Sequence, residues 1–277
     1  MADSVVNQCG FSPSLSEAFS DEKLPLLANS SFSIQDGLRM LEKLSESYSL
    51  GLSESDCQRV LAHLYLMYKK NEVVNLTSIR SMPDGLILHA FDSLLFAKVI
   101  QNFLPLEGFS HLLDMGTGGG FPGIPLACVS SFKVDLLDSV GKKIVACNEF
   151  SLELGISDRV HAYHARLEGF VKQTGRTYDC VTARALARLD ILLEYAEPYV
   201  KQGGYVFFGK ANPEQNEIND ALKVSTLCGF EFVSRETFEL PLEMGHREIF
   251  VFKKTRKSKV KLPRKNGEAR NHPLSAR

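Results

Sequence analysis

Long apolar runs are missing from this 277-residue chain, and no stretch approaches the length of a membrane span. A basic start followed by an apolar core is missing too. Met1 to Ser33 is serine-rich and mildly acidic, which argues against a secretory leader and predicts a flexible extension. The six cysteines (Cys9, Cys57, Cys128, Cys147, Cys180, Cys228) include no C-x-x-C pair, which speaks against zinc knuckles and a disulfide framework. A reducing, cytoplasmic setting is the expectation. Tryptophan is absent altogether. Strong net charge is lacking as well, at -1, but the charge is unevenly spread. Ten of the 32 basic residues and only one of the 33 acidic ones fall in Lys253 to Arg277, leaving 22 against 32 in the body. Such a tail is either a solvated charge run or a phosphate-binding arm working by counterion release.

A hydrophobic content of 44% permits a full core. Apolar residues recur at helical spacing through Ile34, Leu38, Leu41 and Leu44, and again through Val60, Leu61, Leu64 and Met67, predicting two helices. Ser53 followed three residues later by Asp56 imitates a capping box for the second. A third helical run spans Leu86 to Phe103. Strands are then predicted at 111–114, 133–138, 159–164, 179–183, 204–209, 230–238 and 248–253, with helices at 124–128, 142–154, 189–199 and 213–227. This alternation gives an α/β fold with a seven-stranded, mostly parallel sheet, and the helix-free link between the last two strands makes them an antiparallel hairpin. The expected divisions are a flexible extension at 1–33, a helical region at 34–105, an α/β domain at 106–254 and a basic tail at 255–277.

The densest signal is Asp114-Met-Gly-Thr-Gly-Gly-Gly-Phe-Pro-Gly-Ile-Pro125, a glycine turn directly after the apolar Leu112-Leu113. A strand, a glycine turn and a helix start form the nucleotide-binding corner of a doubly wound sheet. Two frames compete. Gly118 to Gly123 satisfies the dinucleotide pattern G-x-G-x-x-G, although it starts four residues past Asp114 and carries a proline inside the turn. Gly116 to Gly120 reads G-x-G-x-G and resembles motif I of S-adenosylmethionine-dependent methyltransferases. In that frame Gly116, Gly118 and Gly120 let the backbone approach the cofactor, Asp114 faces its cationic groups, and Asp138, ending the second strand, accepts the ribose hydroxyls. Asp138 also reads as a turn or helix-cap aspartate.

Further motifs lie in order around this turn: Asn75-Leu-Thr-Ser-Ile-Arg80, His89-Ala-Phe-Asp-Ser-Leu94, Leu136-Leu-Asp-Ser-Val-Gly-Lys-Lys143, Arg166-Leu-Glu168, Thr182-Ala-Arg-Ala185 and Pro263-Arg-Lys-Asn-Gly267. Together they resemble the glucose-inhibited division protein B family, the bacterial small-subunit ribosomal RNA guanine-N7 methyltransferases, over about Ser53 to Leu274. The resemblance implies a class I S-adenosylmethionine-dependent (Rossmann-like) fold and methylation of the guanine numbered 527 in bacterial 16S ribosomal RNA. It implies a cofactor site at Gly116, Phe121, Leu167, Glu168 and Arg184, with Leu167 and Phe121 placed to sandwich the adenine. Lys142, Arg166 and Lys210 match basic positions of the family expected to face RNA, and Arg264 and Lys265 in the tail join them. Arg184 and Lys210 are expected to position the substrate. The partner is 16S RNA, the small subunit or an assembly intermediate, and the protein is expected to be a monomer. Two departures stand out. The tryptophan that often precedes the family's N-L-T segment is replaced near Lys70, and a usual Lys-Gly pair is Lys210-Ala211 here.

No general base is expected. The N/D-P-P-Y/F motif of amine methyltransferases is absent after the fourth strand, and no cysteine stands in the Pro-Cys or Thr-Cys context that pyrimidine C5 chemistry needs. Guanine N7 carries an available lone pair and needs only alignment. His89 and Asp92 either orient the glycine turn or make a buried structural hydrogen bond. No metal is expected, because His161 and His164, three apart on a strand, point to opposite faces. A methyltransferase acting on a small molecule or protein, and a nicotinamide oxidoreductase, remain the alternatives. Removing Lys253 to Arg277 is expected to weaken RNA binding and leave cofactor affinity intact.

Overall fold

The structure, a computed structural model, describes residues 32–108 and 110–276; of the expected extension at 1–33, residues 1–31 lie outside them. Two helices open the described chain, α1 (Ile34–Ser47) and α2 (Glu54–Asn71). The Ser53–Asp56 capping box starts α2 as the spacing predicted, with both reciprocal bonds present, and Ser33 with Asp36 repeats the device at α1. The third helical run is not uniform. A short α3 (Met82–Gly85) leads into a π-helical stretch, Leu86–Phe91, and then α4 (Asp92–Ile100). Such π segments recur at functional sites because they displace side chains from the regular 3.6-residue register. Here the stretch carries His89 and delivers Asp92 at its end.

Seven strands follow: β1 (His111–Met115), β2 (Lys133–Asp138), β3 (Val160–His164), β4 (Tyr178–Arg184), β5 (Val200–Lys210), β6 (Phe230–Glu239) and β7 (His246–Lys254). Their order in the sheet is β3-β2-β1-β4-β5-β7-β6. The first five run parallel, while β7 is antiparallel to both β5 and β6. That is the class I methyltransferase sheet, with the hairpin the sequence pattern predicted. The helices α5 (Gly123–Cys128), α6 (Gly141–Glu153), α7 (Leu167–Thr174), α8 (Leu189–Ala196) and α9 (Gln215–Cys228) make the crossovers. α7 lies between the third and fourth strands, where the sequence pattern assigned no helix, and Leu167 and Glu168 open it.

Alternation along the strands sorts the core into two layers. Leu112, Ile249 and Val251 face α1, α2, α4, α5 and α6, whereas Leu113, Met115, Phe250 and Phe252 face α7, α8 and α9. The N-terminal helices therefore cover one face of the sheet. After β7 the chain returns along the other face, through a short α10 (Glu268–Asn271), and buries Ala269 and Leu274 in that second layer.

Candidate functional site

The glycine turn is built around Asp114, which is fully buried at the end of β1. Its Oδ2 accepts hydrogen bonds from Thr117 Oγ1 at 2.6 Å and Gly123 N at 3.0 Å, and its Oδ1 accepts one from Thr182 Oγ1 at 3.0 Å. Burial pushes its pKa up, against the pull of those donors. Asp114, expected to face a cofactor, is placed by the structure with both oxygens bonded within the fold and away from solvent. Asp138 is different. It is half-buried at the end of β2, where Oδ2 accepts from Gly118 N at 3.0 Å and Oδ1 from Val140 N at 2.9 Å, yet it still borders open space. The turn-cap reading of Asp138 is realised, and the residue also borders a cavity at the strand ends. Gly118 has φ +60, and a Cβ there would find nothing within 4 Å, so the turn leaves a bare backbone cradle facing the cavity below it.

Three cavities run in line across the strand ends. The first, about 320 Å³, is bordered by Gly116, Asp138, Leu167, Glu168, Tyr195, Gly267 and Arg270. The second, about 200 Å³, lies under Gly116 to Gly119 and is bordered by Phe121, Lys143, His89 and Arg184. The third, about 330 Å³, sits beyond Arg184, at the ends of β4, β5 and β7. Gly116 borders the first two, His89 and Arg184 the last two, and Ala185 all three. Ala185 also holds a positive φ of 52, a strained backbone at the point where the cavities meet.

Arg184, the last residue of β4, donates from Nη1 to Asp92 Oδ2 at 2.7 Å and to the Leu88 carbonyl at 3.1 Å. Arg247 Nε holds the other oxygen of Asp92 at 3.0 Å. Arg184 Nη2 lies 3.4 Å from His89 Nδ1, which must accept, so the imidazole is neutral and its Nε2 proton points to Thr77 Oγ1 at 2.8 Å. Burial, reinforced by the Arg184 charge, lowers His89 to about 3. His63 is neutral for the same first reason, lowered to about 3 by burial, and its Nε2 meets the Gly119 carbonyl at 3.0 Å. Sequence reasoning missed His63; a lone histidine on an apolar helix face gives no signal. The two residues expected to sandwich the adenine border different cavities. Phe121 stacks on His89, with centroids 5.1 Å apart, and on His63 at 4.4 Å, and it borders the second cavity while Leu167 borders the first.

The matching motifs now have a shared geometry. A family model described as rRNA small subunit methyltransferase G matches residues 56–245. The chain belongs to this family. Relatives named ribosomal RNA small subunit methyltransferase G include one from Desulfitobacterium hafniense, 35% identical over 229 residues, covering 82% of this chain and 92% of the relative. Another, from Geobacillus kaustophilus, is 37% identical and covers 76% and 87%. One from Staphylococcus aureus strain Newman is 35% identical and covers 85% and 97%. Membership of a methyltransferase family leaves the dinucleotide frame without support.

The basic positions expected from this family fall into two groups. Lys142, Arg166 and Lys265 are exposed. Lys210 borders the third cavity, held by Glu217 Oε1 at 2.8 Å and the Ala187 carbonyl at 3.2 Å. Arg264 is corrected: its guanidinium forks onto both oxygens of Glu194, at 2.6 and 2.5 Å, with the two side chains 7% and 4% exposed. A pair so buried is closed to phosphate. The segment after β7 is likewise no free tail. Gly267 N donates to Glu168 Oε1 at 3.0 Å, Arg270 Nη2 to the Leu186 carbonyl at 3.1 Å and Ser275 Oγ to Asp190 Oδ2 at 2.5 Å. Gly267 and Arg270 wall the first cavity, so removing Lys253 to Arg277 would take part of that wall away. Among the described residues no helix is long and apolar enough to cross a membrane, and no three potential metal-ligating side chains cluster.

Proposed function

We propose that this methyltransferase moves a methyl group from S-adenosylmethionine to N7 of a guanine in 16S ribosomal RNA, acting in the cytoplasm on the small subunit or an assembly intermediate. The observation that carries the reading is the line of three cavities meeting at Ala185: two for a nucleoside with an amino-acid arm, and one beside them for the acceptor. The residues present fit the cofactor. Asp138 would take the ribose hydroxyls, Leu167 and Glu168 at the start of α7 would line the adenine, and the bare backbone at Gly116 to Gly118 would admit the amino-acid arm past Arg184. Bound there, the cofactor supplies a methyl group on a sulfonium, which a lone pair can take directly. Exposed Lys142, Arg166 and Lys265 would meet RNA phosphates.

The side chains around the meeting point supply alignment and charge, not proton removal. His89 is held neutral with both nitrogens engaged, and burial pushes the thiols of Cys57, Cys128 and Cys228 up to about 12. Guanine N7 asks for neither a base nor a thiolate. The test is incubation of small-subunit RNA with the protein and labelled S-adenosylmethionine, followed by digestion and mass spectrometry. One new 7-methylguanosine is expected. An unmodified map, or a methyl group on another atom, overturns the reading.

A further inference from the structure

The third cavity raises a separate question, which nucleobase it is shaped to hold, and the answer rests on the methylation reading above. Its walls are mainly apolar, with Leu88, Phe96 and Ile249 on its sides. At one end stands the buried ion trio Arg184–Asp92–Arg247, with Asp92 only 4% exposed. Each arginine takes one oxygen of Asp92, so each oxygen keeps a lone pair facing no other group among the described hydrogen bonds, since a carboxylate offers about four acceptor sites in all. A buried carboxylate with spare acceptor capacity beside an apolar slot invites donors.

We propose that this cavity is the slot for the extruded target base, and that Asp92 and Arg184 read its edge as guanine. Around guanine the groups run N2–H2, N1–H, O6, N7: two donors, an acceptor, then the nucleophile. In the protein the corresponding series is the two oxygens of Asp92, the Arg184 guanidinium bonded to Oδ2, and the Ala185 junction with the second cavity. The donors meet the carboxylate, O6 meets the arginine, and N7 is left facing the place where the methyl group arrives. Adenine reverses the series, presenting an amino group to Arg184 and a bare N1 to Asp92, so two like pairs would face each other without water. Pyrimidines place no ring nitrogen at the junction. A carboxylate against N1–H also favours the positive charge that the purine gains when N7 is methylated.

Gly209 preserves the slot. A Cβ there would stand 2.6 Å from the Phe96 ring, which packs against the β5 backbone.

The test compares RNA substrates carrying guanosine or inosine at the target position, with wild-type protein and Asp92→Asn. Inosine keeps N7 and O6 and lacks only the N2 amino group. Wild-type kcat/KM is expected to fall by about tenfold or more with inosine, because the second acceptor site of one buried Asp92 oxygen is left without the base's donor. Asp92→Asn should be slower on guanosine and should lose most of that preference. A purely structural role for Asp92 would slow both substrates by one factor and keep the preference, which would overturn the proposal. So would equal wild-type rates on the two RNAs, a result that stands even if the variant fails to fold. Wild-type protein inactive on the guanosine RNA would overturn the methylation reading, and the slot with it.

Discussion

The glycine turn and the segment after β7 both border the first cavity, but they are held there in opposite ways. The turn is stitched mostly within its own motif, Thr117 and Gly123 bonding Asp114 across three and nine residues, with Thr182 on the neighbouring strand β4 as its one distant partner. The C-terminal segment is held by partners far away in sequence, at separations of 70 for Arg264–Glu194, 84 for Arg270–Leu186 and 99 for Gly267–Glu168. A locally stitched turn forms with its strand and cannot open without disturbing the sheet. A segment docked by long-range contacts is the part expected to open first, as a unit, while the domain stays folded. The cavity is thus expected to have one wall fixed with the core and one wall that opens first.

The largest expected effect strikes the fixed wall. Asp114→Asn replaces an acceptor oxygen by an amide and leaves a buried donor facing it, so urea denaturation should show a loss of about 3 kcal/mol. A loss below about 1 kcal/mol would mean that the turn does not depend on this carboxylate. The releasable wall should respond differently. Arg264→Met strands the buried Glu194 carboxylate, at a local cost of about 3 kcal/mol that appears as faster hydrogen exchange across 264–276 more than as global unfolding. Cofactor affinity should drop severalfold, and adding Glu194→Leu should restore it. Unchanged affinity in Arg264→Met would separate the segment from the cofactor site.

A third effect, absent at neutral pH, comes from the two neutral histidines packed on Phe121. Both are lowered to about 3 from the ordinary value of 6.5, so the unfolded chain binds more protons below 6.5. Stability is full above that value and is lost as pH falls from 6.5 towards 3, by up to about 1.4 kcal/mol per pH unit for each histidine. His63→Phe should flatten the slope by one histidine's share, measured as urea midpoints from pH 7 to 4. An unchanged slope would place the acid sensitivity elsewhere.

The same local and long-range division explains what could be read from the chain. The Ser53–Asp56 cap, the glycine turn and the seven strands are carried by neighbours within a turn or by alternation, so the pattern revealed them. Asp138 was legible because its partners Val140 and Gly118 belong to the same motif pair. The buried hydrogen-bonding of Asp114 was not legible because Thr182, 68 residues away, completes it. Arg264 was misread because a basic run looks solvated until Glu194 is seen beneath it. The eight-residue α7 escaped notice for want of a capping side chain, its N-cap being Arg166. Phe121 belongs to the recognised turn, yet its direction is set by His63 on α2, a packing choice with no local signature.

The central claim is that the lone pair of guanine N7 takes the methyl group with no base. The most direct measurement replaces the target guanosine in small-subunit RNA by 7-deazaguanosine, which keeps the Watson–Crick edge and removes that lone pair, and follows incorporation of labelled methyl. The account predicts full incorporation into the guanosine RNA and none into the 7-deaza RNA at the same binding affinity. Equal incorporation into both would contradict it.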